Sequence, residues 1–223
     1  MHPTVLITGA SRGIGFALAR IFLVNGYAVI GTSRSGRVSG ITDTRFRVWP
    51  LDLADPVSIE HFANRFREAG ISLHLLINNA GIGPDLDTQQ PERASFQQTF
   101  DVNTTGTVFF TEQMCRFLEP QGKLINISSK MGSIAGCGST DSVAYRMSKT
   151  ALNMYTRILA NRLSGRQSVA AIHPGWVRTT IAPGSIHGRL SPEESAGRIF
   201  EFVTRPFRNG IFWNVETQAE CNW

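Results

Sequence analysis

The alternation of short apolar runs with longer helical patterns constrains this chain most. The runs "TVLIT", "AVIGTS", "RFRVWPLDL", "LHLLINNAG", "KLINIS", "SVAAIHP" and "GIFWNV" are separated by segments with helical spacing. A strand that feeds a helix and returns to a parallel strand is a βαβ unit, and a series of them builds an open parallel sheet with helices on both faces. The spacing predicts helices from about Gly13 to Asn25, from about Pro56, from about Thr105 to Leu118, through Tyr145 and Lys149, and from Pro192. Asp55 before Pro56 fits an N-cap with a first-turn proline, and Ser191 with Glu194 fits a capping box. No repeat, low-complexity tract or linker divides the 223 residues. The expected fold class is therefore α/β: one domain, 1–223, built on a doubly wound parallel sheet. Ligands of such sheets bind at the carboxyl ends of the strands.

Composition removes several function classes. With 42% hydrophobic and 17% charged residues, the chain has enough apolar material for one buried core. The net charge of +5 comes from Lys and Arg scattered without a run of three, so a solvated surface is expected and no nucleic-acid partner. Cys115, Cys137 and Cys221 have no metal-ligand spacing and read as free thiols, and the histidines form no His-x-x-x-His pair, so no metal is expected. No apolar run approaches the roughly 20 residues that span a bilayer, and the start "MHPTVLITGA" lacks the basic region of a signal peptide. The expectation is a cytoplasmic protein with no membrane partner.

The stretch "TGASRGIG" lies where the first strand hands over to the first helix. Gly9, Gly13 and Gly15 permit a tight turn, and a bare backbone at a helix N-terminus suits a pyrophosphate. Thr8, Ser11, Arg12 and Ile14 complete that turn. The order Thr-Gly-x-x-x-Gly-x-Gly resembles the short-chain dehydrogenase/reductase family, and further motifs extend the resemblance along nearly the whole chain. It implies a Rossmann-like fold and a nicotinamide dinucleotide cofactor. An acid about 20 positions beyond the glycines suits the ribose of NAD, whereas arginine suits the 2′-phosphate of NADP. Here Ser33 and Arg34 stand at that place with Arg12 nearby, and NADP(H) is the expected cofactor. The resemblance adds Asp52 and Leu53 of "LDL" at the adenine. It also adds Asn79, Ala80 and Gly81 of "NNAG" beside the ribose, and Pro174, Gly175, Val177 and Thr179 of "HPGWVRTT" around the carboxamide.

A tyrosine with a pKa of about 10 is a poor proton donor or acceptor at neutral pH, and a fixed cation nearby lowers that pKa. Tyr145 and Lys149 stand one helical turn apart in "AYRMSKTALNMY". Such a pair also occurs on ordinary solvated helix faces. The family resemblance makes Tyr145 the general acid/base and Lys149 its activator and a ribose ligand. Ser129, in Ser-x-x-Gly, becomes the residue that holds the carbonyl oxygen, with Ser128 the weaker candidate. Asn103 matches the fourth catalytic residue, which kinks its helix, although an asparagine there also reads as an N-cap.

Ser129 and Tyr145 are 16 positions apart (145 minus 129), longer than is common in the family, so "GSIAGCGSTDSVA" holds a small insertion with a glycine-rich, mobile rim. The segment 179–191 is short for a substrate cover and implies an open, shallow pocket. These features and the ending "NGIFWNVETQAECNW" resemble the sniffer and C-factor type of carbonyl reductase. The resemblance implies NADPH-dependent reduction of a small-molecule carbonyl: an aldehyde, ketone, dicarbonyl or quinone. It also implies a homodimer or homotetramer paired through the helices of Asn103 and Tyr145. The alternative is a regulatory or signalling protein that binds NADP without relevant turnover.

Overall fold

The computed structural model describes residues 2–223. In chain order its elements are β1 (Thr4–Ile7), α1 (Gly13–Val24), β2 (Ala28–Ser33), β3 (Phe46–Pro50), α2 (Pro56–Glu68), β4 (Leu73–Asn78), α3 (Arg93–Phe100), α4 (Thr107–Met114), β5 (Leu118–Ile127), α5 (Val143–Arg162), β6 (Ser168–His173), α6 (Pro192–Thr204), β7 (Ile211–Asn214) and β8 (Ala219–Glu220). One eight-stranded sheet has the order β3-β2-β1-β4-β5-β6-β7-β8. Every neighbouring pair is parallel except β7 with β8. The strand order reverses between β1 and β4, which opens a crevice at their carboxyl ends.

Strand side chains alternate between the two faces of the sheet. Leu6, Leu76 and Leu124 point into one core, with Trp49, Phe62, Phe66, Phe110 and Leu152. Their chain neighbours Val5, Ile7, Leu75, Ile77 and Ile125 point into the other, with Leu18, Phe22 and Ile199. Both faces are thus covered by helices, as an all-parallel sheet requires. In the first core Trp49 lies edge-on to Phe66 at 5.7 Å, and Phe62 edge-on to Phe110 at 5.3 Å. The favoured aromatic geometry adds to the area these rings bury.

The caps behave as the sequence predicts. Asp55 accepts the Val57 N–H, and Ser191 and Glu194 form a complete capping box. The helix expected to start near Thr105 differs. The helical run begins at Arg93, passes through a π-helical turn at Asp101–Gly106, and continues as α4 to Met114. β5 takes over at Leu118, ahead of the expected "KLINIS". Two contacts hold the π turn, one local and one tertiary. The Thr107 hydroxyl donates to the Val102 carbonyl at 3.0 Å. At Gly106 a Cβ would lie 1.9 Å from the Leu53 carbonyl oxygen, so glycine lets the run press against the loop after β3.

Candidate active site

The crevice holds an elongated cleft of about 1040 Å³. At one end β1 runs into the glycine turn. Gly9 and Gly13 have φ of +68° and +55°, a region that disfavours other residues. A Cβ on Gly15 would sit 2.2 Å from the Gly9 carbonyl oxygen, so the turn closes only around a bare backbone. The turn is tied to the end of β4. The buried Thr8 hydroxyl accepts the N–H groups of Asn79 and Ala80 at 2.9 and 3.0 Å. The Asn79 side chain donates back to the Thr8 and Gly9 carbonyls at 2.9 and 3.2 Å. Two sequence motifs some seventy positions apart therefore form one rigid rim.

Gly9, Ser11, Arg12, Gly13, Ile14, Gly15, Ser33, Arg34, Asp52, Leu53, Asn79, Ala80, Gly81, Ser129, Tyr145, Lys149, Pro174, Gly175, Val177 and Thr179 all line the cleft. Thr8 and Asn103 do not line it and hold its wall from behind. Arg12 and Arg34 are exposed and belong to no ion pair among the described residues. The Ser33 hydroxyl is engaged locally, accepting the Arg37 N–H at 3.0 Å and donating to the Arg37 carbonyl at 2.9 Å. Asp52 also serves its own turn, accepting the Ala54 N–H at 3.0 Å. Gly175, at φ +87°, packs against Leu190 and Glu216. The Trp176 amide donates to Glu216, which pairs with Arg189.

At the other end α5 presents Tyr145 and Lys149 toward the turn after β5. Gly132 permits the approach, since a Cβ there would lie 2.7 Å from the Lys149 backbone. Ser129 caps the short 3₁₀ turn Lys130–Gly132, accepting the Met131 N–H at 3.1 Å. Ser128 is committed to structure, because its buried hydroxyl donates to Asn153 Oδ1 at 2.6 Å.

Burial pushes the Tyr145 phenol up to about 12; a hydrogen-bonding interaction with Ser129 pulls the other way, and the Asp85 carboxylate adds to the rise. Burial also pushes the Lys149 ammonium down to about 8. Its Nζ donates to the Ile127 carbonyl at 3.0 Å and lies 5.6 Å from the centre of the Tyr145 ring. The sequence reading has Lys149 lowering the phenol's pKa; here burial raises it, and the group that pulls it down is Ser129 and not Lys149.

Asn103 lies in the π turn, which is the kink the sequence reading expects, and not at a helix N-cap. Its Oδ1 accepts the Ile82 N–H at 2.9 Å, while its Nδ2 donates to the Ile82 carbonyl at 2.8 Å and to Ser148 Oγ at 3.2 Å. Gly81 is bare where a Cβ would meet Asn103 Oδ1 and Lys149 Nζ. The expected mobile rim is pinned at both ends. The Ala135 N–H donates to the Trp223 carbonyl at 3.0 Å, and Ser142 bonds to Thr88. Sequence reasoning missed Asp85, Leu86, Trp176 and Ile181. Asp85 is buried beside Tyr145, and the other three line the cleft; His173, which the sequence reads as a packing residue, is buried and borders the cleft too. Among the described residues no helix is long and apolar enough to cross a membrane, and no His/Cys/Asp/Glu group could hold a metal.

Known proteins match this arrangement. The family model for short chain dehydrogenase matches residues 3–188. A Burkholderia multivorans short-chain dehydrogenase/reductase with bound NADP is 30% identical, with TM-score 0.88 and all of both chains covered. An NADPH-bound carbonyl reductase from chicken fatty liver is 27% identical, with TM-score 0.89, over 100% of this chain and 94% of that one. Carbonyl reductase Sniffer of D. melanogaster, at 24% identity, TM-score 0.88 and full coverage of both chains, shares the fold. By its glycine turn, the sheet around it and the family model that spans most of its length, this chain belongs to the short-chain dehydrogenase/reductase family of oxidoreductases.

Proposed function

We propose that the protein is an NADPH-dependent carbonyl reductase, with 1–223 a single cofactor-binding domain and 179–191 its substrate cover. The observation that carries the proposal is one cleft with a bare glycine cradle at one end and Ser129, Tyr145 and Lys149 at the other. The cradle fits a pyrophosphate, because α1 begins at Gly13 without a side-chain cap and its first turn lines the cleft. Arg12 and Arg34, exposed and without acid partners among the described residues, fit a 2′-phosphate and would hold it by charge-assisted hydrogen bonds. Asp52, Leu53, Asn79, Ala80, Gly81, Pro174, Gly175, Val177 and Thr179 complete the wall. Bound there, NADPH supplies hydride.

The chain's own residues supply the rest. A phenol raised to about 12 keeps its proton at neutral pH but gives it up reluctantly, so transfer from Tyr145 to a carbonyl oxygen held by the Ser129 hydroxyl depends on a cation that stabilises the tyrosinate. Lys149, at about 8, stays cationic at pH 7 and favours the tyrosinate that remains. Asn103 holds Ile82 and hence the loop against which Tyr145 packs. A homodimer or homotetramer is part of the proposal. Phe109 on α4 and Met147, Met154 and Ile158 on α5 are exposed apolar side chains suited to pairing, and a sedimenting mass of one chain would remove this part.

The test measures NADPH and NADH oxidation with aldehydes, ketones, dicarbonyls and quinones, using wild type and Tyr145→Phe. The expected result is NADPH-selective turnover that falls at least about 100-fold in Tyr145→Phe while NADPH binding holds. Undiminished turnover in the variant would overturn the role of Tyr145. Tight NADPH binding without turnover of any carbonyl would leave the regulatory reading.

A further inference from the structure

The N-terminus of α5, which carries Tyr145, is not capped by the side chain of its own N-cap residue. Ser142 at the N-cap position adopts a left-handed backbone (φ 55°, ψ 44°) and gives no side-chain cap. Its hydroxyl instead accepts the Asp87 N–H at 3.1 Å, and its own N–H donates to the Thr88 carbonyl at 2.9 Å. The first turn of a helix leaves N–H groups that need partners, and a buried one left unpaired is costly. Tyr145 is the third residue of α5, and its N–H finds its partner sixty positions away in the chain. Both oxygens of Asp85 lie on it, at 3.2 and 3.1 Å. Asp85 is only 2% exposed, and no ion pair with an Arg, Lys or His is formed by it among the described residues.

The loop that carries Asp85 is itself held at both ends. Asn103 grips Ile82 by its N–H and its carbonyl, and Ser142 grips Asp87. Between them, Gly83 passes beneath the phenol: a Cβ there would lie 3.1 Å from Tyr145 Cδ2. The loop touches the tyrosine twice, at its ring and at its amide.

We propose that Asp85 is a positioning residue, which sets the catalytic tyrosine by capping α5 from the loop after β4. The proposal rests on the reading of Tyr145 as proton donor, but its first test does not. A carboxylate at a helix N-terminus satisfies the N–H and complements the partial positive charge of the helix end, so the first turn of α5 is fixed in the position the loop dictates. The same charge stands near the phenol and favours its protonated form.

Hydrogen exchange of the α5 first-turn amides is measured in wild type, Asp85→Ala and Asp85→Asn. Asparagine keeps an acceptor oxygen and alanine does not. Asp85→Ala should speed exchange at Tyr145 at least about tenfold while amides of the central strands keep their rates, and Asp85→Asn should restore most of the protection. If Asp85→Ala leaves Tyr145 exchange unchanged, the cap is refuted whatever the protein's activity. Turnover then tests the link to chemistry. Asp85→Ala should lower kcat about tenfold with the NADPH Kd within twofold, Asp85→Asn should recover it, and Asp85→Ala added to Tyr145→Phe should cost nothing further. Equal losses in both backgrounds would mean that Asp85 acts elsewhere and would overturn the proposal. Should Asp85→Ala fail to fold, Asp85→Leu, which is close to asparagine in size and has no acceptor, replaces it in both measurements.

Discussion

Replacing Thr8 by valine keeps the side chain's shape and deletes one oxygen. That oxygen is 2.9 and 3.0 Å from the N–H groups of Asn79 and Ala80, and Thr8 itself is 1% exposed. Removing it orphans two donors at once. Each buried, unpaired amide costs about 1–3 kcal/mol. Asn79 and Ala80 are half-buried at the cleft edge, so water reaches part of the way and the lower half of that range applies. Two such losses total about 2–4 kcal/mol, a large share of a typical unfolding free energy of about 5–15 kcal/mol, yet survivable. The assay is urea unfolding, with the denaturant slope checked for constancy so that the shift reads as stability. Thr8→Ser, which restores the acceptor, should stay within about 1 kcal/mol of wild type. Thr8→Val should also weaken NADPH binding, since the orphaned amides form the wall beside the glycine turn. A Thr8→Val protein within about 0.5 kcal/mol of wild type at unchanged slope would refute the argument. It would mean that the two motifs are joined by the Asn79 side chain alone.

Lys149 carries a stability cost that function explains. It is 4% exposed and pushed down to about 8, so below that pH the fold holds a buried ammonium against its preference. Lys149→Met should therefore raise the unfolding free energy at pH 7 by about 1–2 kcal/mol, net of the lost bond to Ile127, while turnover is abolished. Because the folded pKa is depressed, wild-type stability rises as pH passes from about 8 toward the unfolded value of 10.5. The variant's advantage should shrink over that window, and a variant less stable than wild type at pH 7 would contradict this. His173 works in the acid range. Burial pushes it down to about 4, and its Nδ1 has no hydrogen-bond partner among the described residues. Below the unfolded pKa of 6.5 the unfolded chain takes up the proton first. Stability present above pH 6.5 is then lost as pH falls toward 4, by up to about 3 kcal/mol. His173→Asn should flatten that part of the curve, and parallel curves for the two proteins would exclude the histidine as its source.

What the sequence makes legible is what local chemistry fixes. The strands and covering helices are readable because a buried parallel strand is apolar over its centre, as in Leu75, Leu76 and Ile77, and because Asp55 and Ser191 cap with their own side chains. The start of the run at Arg93 is not legible because its N-cap residue, Glu92, makes no side-chain cap, and no local signal marks the π turn. Its causes are a Thr107 hydroxyl turned inward and a Gly106 pressed on Leu53, the second of which is a tertiary contact. The cleft lining was legible wherever backbone geometry dictates residue type: Gly15 must lack a side chain because of what stands opposite it, so the glycine is visible in the sequence before the contact is.

The seat of Tyr145 was not legible, for a related reason. Where the cap of α5 would normally be read stands Ser142, a residue type that favours capping, and the structure turns it left-handed and uses it to grip the loop after β4. The cap comes from Asp85, in a stretch with no periodicity and no motif beyond its glycine and proline. A pairing sixty positions apart leaves no mark on either partner's local sequence. Asn103 is named by its motif, but its two bonds to Ile82 leave no mark on the loop they hold. The residues proposed for the chemistry thus announce themselves by type, whereas those that hold them in place do so only by position. Variation among related reductases in the loop after β4 should therefore reposition the tyrosine without altering the Ser-Tyr-Lys set.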